Sequence, residues 1–178
     1  EDGKHPLLYT KVPLDTDTPV SAYLKLCEDQ DYAFLYESVE GAKTVGRYSA
    51  IGFDPDMIWE IQDKTSSYTN LLNDESTSSK TPIDDLKQRL EESRIETEGD
   101  IPPMLSSGLF GYMGYNTIGL VEDIPEHTNN KINIPDTIMI RPRTILVFDN
   151  IYHTLWIAAP AYDTYEGGKH DIWGGEFC

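Results

Sequence analysis

The chain has 178 residues with 14 basic and 31 acidic side chains, a net charge of −17, and its length suits one domain with its own core or one lobe of something larger. Acid spread along the whole chain repels phosphate backbones and anionic lipid, so nucleic acid and membrane are excluded as expected partners. Only Cys27 and Cys178 occur, no apolar run approaches the ~20 residues of a bilayer span, and the start carries no leader pattern, so a cytoplasmic protein without a disulfide framework is expected.

In chain order, Thr18 and Pro19 form an N-cap and first-turn pair ahead of Val20, Tyr23, Leu24 and Cys27 at helical spacing, which predicts a helix over 18–28. "YAFLYES" has no helical period and reads as a strand buried on both faces or nearly so. "YSAIGFDPDMIWEIQ" reads as two short strands broken by a turn at Asp54 and Pro55. Residues 64–79 are polar and read as a long surface loop, apart from a short "YTNLL" that is either strand or loop anchor. "KTPIDDLKQRLEESRI" repeats the Thr-Pro start and spaces Ile83, Leu86, Leu90 and Ile95 along one face of a second helix over 82–95. "LSSGLFGYMGYNTIGLVEDIP" reads as a glycine-rich strand in which backbones approach closely, followed by a short helix over "NTIGLVED". "DTIMIRPRTILVFDNIYHTLWIAAPA" reads as two strands joined at Asp149 and Asn150. The class is α+β: antiparallel strands in a sheet or orthogonal β-sandwich, with helices on the outer faces.

The chain offers little conventional catalytic apparatus. His5, His127, His153 and His170 are scattered, and the zinc-protease, redox-cysteine, nucleophile-elbow and phosphate-loop patterns are all lacking. His170 with Cys178 reads as incidental rather than as a metal pair. The carboxylates of "EDQD" and "DDLKQRLEE" read as solvated charge. Glu37 and Ser38 differ, because they end an apolar strand where an unpaired charge is costly. Two explanations stand: Glu37 pairs with Arg47 across a turn while Ser38 caps the backbone, or the two form the polar wall of a site for a small zwitterion, with the carboxylate taking an ammonium.

"FLYESVEGAKTVGRYSAIGFDP" resembles the N-terminal region of anthranilate synthase component I, whose pattern runs from an LLES strand through an acidic-glycine turn to GRYSxIG. "TPVSAYLKL", "GLFGYMGYNTIGLVEDIP" and "IPDTIMIRPRTILVFDN" resemble further blocks of that region in the same order. Together they cover about residues 6–162. The resemblance implies a domain over 1–162 followed by a tail, 163–178, that departs from the family.

It also implies a regulatory lobe that binds L-tryptophan as feedback inhibitor at Leu35, Glu37 and Ser38, extended to Val39, Arg47, Tyr48 and Ser49 from the adjoining motif. Tyr36 stands where the family commonly has a second leucine, and strand alternation points it away from Leu35 and Glu37 into a core role. The family's chorismate and magnesium are handled by a C-terminal half of which no segment occurs here, so no cofactor is expected in this chain and no synthase activity from it alone. The implied partners are L-tryptophan, that C-terminal half and a glutamine amidotransferase subunit, component II. A sister family, aminodeoxychorismate synthase component I, shares these motifs, and a stand-alone amino-acid-binding or docking module is the reading from a different class.

Overall fold

The structure is a computed structural model and describes residues 5–38, 46–97, 99–106, 108–123 and 134–162. The elements run β1 (His5–Pro13), α1 (Pro19–Leu26), β2 (Ala33–Tyr36), β3 (Tyr48–Gln62), β4 (Thr65–Asn70), β5 (Ser76–Ser79), α2 (Pro82–Glu92), β6 (Ile95–Glu96), β7 (Phe110–Met113), β8 (Thr137–Asp149) and β9 (Thr154–Pro160), with 3₁₀ turns at Pro103–Ser106 and Tyr115–Leu120. The strands lie in the order β5-β4-β3-β8-β9-β1-β6, with β2 paired to β3 and β7 to β8. All pairings are antiparallel except β1 with β6. This is the expected α+β class, and none of its helices is long and apolar enough to cross a membrane among the described residues.

Two long strands organise everything else. β3 and β8 pair from Tyr48↔Asp149 to Ile61↔Thr137, with one irregularity between Pro55 and Met57 where Asp56 is the extra residue. The first half of β3 takes β2 on its free edge and the second half takes β4. β8 likewise takes β7 along its first half and β9 along its second. A bulge bends the strand that carries it and increases its twist, so Asp54 and Pro55 mark a bend inside one 15-residue strand rather than the break expected from sequence. Asp54 adopts φ 54° there, a conformation that aspartate tolerates better than most residues.

Asp56 and Arg141 are 1% and 4% exposed. They form two hydrogen bonds, Arg141 Nε and Nη2 donating to the two carboxylate oxygens at 2.8 Å each. Arg141 also lies 4.0 Å from the Tyr162 ring centroid. The bulge thus buries an ion pair in the fork-to-fork geometry that best repays desolvation.

Three apolar clusters follow from strand alternation. Ala50, Ile145, Val147 and Trp156 face one side with Leu105 and Phe110. Ile51, Leu146 and Phe148 face the other, where Ala22 and Cys27 of the α1 segment cover them. Met57, Trp59 and Ile61 form the third with Leu86 of α2.

α1 starts as expected, with reciprocal Thr18–Ser21 capping bonds. α2 ends at Glu92, and Ile95 belongs to β6. The 64–79 region is not a loop: it holds β4 and β5, of which β5 is the outermost strand and β4 lies between β5 and β3. Asp85 is not solvated charge either, since it accepts hydrogen bonds from Trp59 Nε1 at 2.8 Å and Ser66 Oγ at 2.6 Å. Burial alone would raise its pKa, but those bonds and the Arg89 charge hold it below the ordinary carboxylate value.

Candidate ligand site at the end of the second strand

β2 is an edge strand, paired through Ala33↔Phe53 to Tyr36↔Ala50, and is only partly buried, contrary to the near-complete burial expected from its composition. Its side chains alternate. Phe34 and Tyr36 lie on one face, with ring centroids 4.7 Å apart, and Phe34 stacks on Phe110 at 4.7 Å. Leu35 packs on the opposite face against the α1 cluster. Tyr36 therefore turns away from Leu35 as alternation requires, but it is 40% exposed rather than a core residue, and its hydroxyl donates to the Gly111 carbonyl at 2.8 Å.

Past Tyr36 the chain leaves the ladder, and Glu37 and Ser38 are exposed. The Ser38 amide donates to Ser49 Oγ at 3.4 Å. Ser38 also sits against the α-carbon of Gly46: a Cβ built there would lie 1.6 Å from Ser38 Oγ. Gly46 is thus required by close approach. Phe34 explains the other glycine of the motif in the same way, since a Cβ on Gly52 would lie 2.3 Å from its ring.

Arg47 does not pair with Glu37. Its Nε and Nη2 donate to Asp149 Oδ2 at 3.1 and 3.0 Å, while Asp149 Oδ1 accepts from the Ile151 and Tyr152 amides at 3.1 Å each. Burial pushes the Asp149 carboxyl up, but the Arg47 hydrogen bonds and those two amides hold it below its ordinary value. The Arg47 guanidinium also lies 4.6 Å from the Tyr48 ring centroid and 5.1 Å from that of Tyr152. Asn150 completes the seat, its Nδ2 donating to the Gly46 carbonyl at 3.0 Å and its amide to the Arg47 carbonyl at 2.8 Å.

The structure therefore brings Leu35, Glu37, Ser38, Arg47, Tyr48 and Ser49 to one end of β2 and β3 and gives them different duties. Ser49 is buried and Tyr48 half-buried, Arg47 is held by Asp149, and Glu37 has no ion-pair or hydrogen-bond partner among the described residues. Val39 lies outside the described residues, as do His127, His170, Cys178 and the 163–178 tail. Asp149 and Asn150, which the sequence marks only as a hairpin junction, also belong to the site. Their signal is the Asp-Asn pair itself, whose side chains cap a turn and reach the neighbouring strand. Among the described residues no group of three or more His, Cys, Asp and Glu is arranged to hold a metal ion.

No protein-family model matches the chain. Anthranilate synthase component 1 of Cereibacter sphaeroides is 35% identical over 164 residues, covering 90% of this chain and 33% of that protein. The Synechocystis protein of the same name is 35% identical over 162 residues, covering 89% and 31%. That of Thermus thermophilus is 30% identical over 159 residues, covering 89% and 33%. The chain spans about one third of the length of these relatives. The crystal structure of anthranilate synthase component I from Streptococcus pneumoniae superposes with a TM-score of 0.54 at 18% identity, over 88% of this chain and 32% of that one, and so shares the fold. Over nine-tenths of its length the chain is a homologue of a one-third portion of anthranilate synthase component I.

Proposed function

We propose that this region binds L-tryptophan at the end of β2 and serves as the regulatory part of an anthranilate synthase component I in tryptophan biosynthesis. The supporting observation is the division of charge: Arg47 is neutralised by Asp149, which leaves the Glu37 carboxylate exposed beside Ser38 to take an α-ammonium group. Leu35, Glu37 and Ser38 are the ligand-binding residues of this proposal, Leu35 from its place on the α1 cluster, with Val39, outside the described residues, as a fourth candidate. Arg47, Tyr48 and Ser49 form the seat that holds them. Domain 1–162 carries the site, and the parent enzyme would convert chorismate, with ammonia from a glutamine amidotransferase second component, in the cytoplasm. The names of the relatives favour this over the aminodeoxychorismate synthase reading.

Titration calorimetry with L-tryptophan tests it, on the 178-residue chain and on any longer product of the same gene. Saturable binding is expected, weakened by Glu37→Gln about 10-fold or more, since hydrogen bonds to charged groups contribute roughly 1.5–3 kcal/mol. D-tryptophan should bind more weakly, because inversion moves the ammonium away from Glu37. Absence of saturable binding in both proteins, or equal affinity in Glu37→Gln, would overturn the assignment.

A further inference from the structure

Resting on the tryptophan reading, we infer that Tyr36 is a positioning residue that couples the ligand end of β2 to β7. β2 and β7 are edge strands on different halves of the long pair: β2 pairs with β3 across 50–53, and β7 pairs with β8 across 137–140. Among the described residues one hydrogen bond joins them, from the Tyr36 hydroxyl to the Gly111 carbonyl at 2.8 Å. The contact is backed by rings, with Phe34 stacked on Phe110 and Tyr36 6.4 Å from Phe110. Its receiving end is set firmly, because a Cβ on Gly111 would lie 1.9 Å from the Ile138 carbonyl oxygen. β7 lies that close to β8, so Gly111 presents its carbonyl at a fixed place.

Tyr36 immediately precedes Glu37 but faces the other way, so it shapes the site only through the strand that bears both. A ligand anchored on Glu37 and Ser38 orders the end of β2, and the phenol carries that ordering to the β7 backbone. Coupling of this kind is reciprocal: the factor by which ligand suppresses opening of β7 equals the factor by which a closed β7 favours ligand. One neutral hydrogen bond bounds that factor at about 2- to 10-fold.

The test is amide hydrogen exchange at Gly111–Met113 with and without saturating L-tryptophan, in wild type, Tyr36→Phe and Tyr112→Phe. Tyr112 donates to the Pro135 carbonyl at 2.7 Å and makes no bond to β2, so its variant controls for loosening of β7 as such. In wild type and Tyr112→Phe, ligand should slow exchange about 2- to 10-fold. In Tyr36→Phe the slowing should vanish, with affinity lowered by no more than the same factor. A merely structural role would change the ligand-free exchange rate and leave the ligand response intact. Equal slowing in Tyr36→Phe and wild type overturns the coupling alone, whereas no binding by wild type overturns the tryptophan reading and the coupling with it.

Discussion

Replacing Asp56 by asparagine should destabilise the protein far more than the same change at Asp54, two residues away on the same strand. Both aspartates face an arginine of β8. The Asp56–Arg141 side chains are 1% and 4% exposed and share two bonds of 2.8 Å, whereas Asp54 and Arg143 are 45% and 32% exposed with one carboxylate contact at 2.5 Å. Asparagine at 56 leaves the Arg141 charge buried without its counter-ion, a loss of roughly 3–5 kcal/mol. Asparagine at 54 keeps the positive-φ backbone conformation and forfeits a solvent-screened pair that contributes about 0–1 kcal/mol. For a chain of this length the difference is a fall in Tm of roughly 6–20 °C against a few degrees. Urea unfolding followed by the fluorescence of buried Trp59 and Trp156 measures both. The double change Asp56→Leu with Arg141→Met should recover much of the loss, because the cost comes from the uncompensated charge and not from the absent pair. Equal losses for the two asparagine variants would refute the reasoning.

Asp85 and Asp149 both hold their protons less tightly in the folded chain than in the unfolded one. The unfolded chain therefore takes up protons first as pH falls, so their contribution is complete above the ordinary carboxylate pKa of about 4 and is lost below it. In urea titrations across pH, Asp85→Asn should cost on the order of 1 kcal/mol at neutral pH and progressively less in acid; a pH-independent cost would contradict this assignment. Gly111→Ala, with its methyl 1.9 Å from the Ile138 oxygen, should cost about 1–3 kcal/mol. Gly119→Ala meets nothing within 4 Å and should stay within about 0.5 kcal/mol of wild type, so similar denaturation midpoints for the two would count against the packing argument. Gly46→Ala should displace Ser38 and weaken L-tryptophan binding about 10-fold although Gly46 has no side chain to touch a ligand; calorimetry showing unchanged affinity would remove Ser38 from the site.

Elements whose causes are local were readable in the sequence. Thr18, Pro19 and Ser21 stand within four residues of one another and form the α1 start unaided. The β8–β9 hairpin follows from Asp149 and Asn150 between two apolar runs. Elements whose causes lie far along the chain were not readable. Asp54-Pro55 is a turn signal, yet β3 continues through it because Asp56 finds Arg141 85 residues away. β5, with only serine and threonine, has no amphipathic alternation to detect, because it lies outermost on the sheet and covers no core. β1 escaped detection for a related reason: of its nine residues only His5 is buried, and its backbone pairing with β9 over Leu7–Pro13 makes it a strand.

The candidate site divides along the same line. "GRYSAIG" reads as a ligand motif, but its residues have structural duties that can be named individually. Gly46 admits Ser38, Arg47 holds the Asp149 turn, Ser49 accepts the Ser38 amide, and Gly52 lies under Phe34. A sequence pattern cannot separate the seat from what is seated, because displacing either one removes the other from position. The structure separates them: the seat is internally satisfied, with the charge of Arg47 and the carboxylate oxygens of Asp149 already committed. Among the described residues at this end of β2, Glu37 and Ser38 are the polar groups left exposed. That is why removing a residue of the seat should alter stability and binding together, while Glu37→Gln should alter binding and leave the unfolding midpoint nearly where it was.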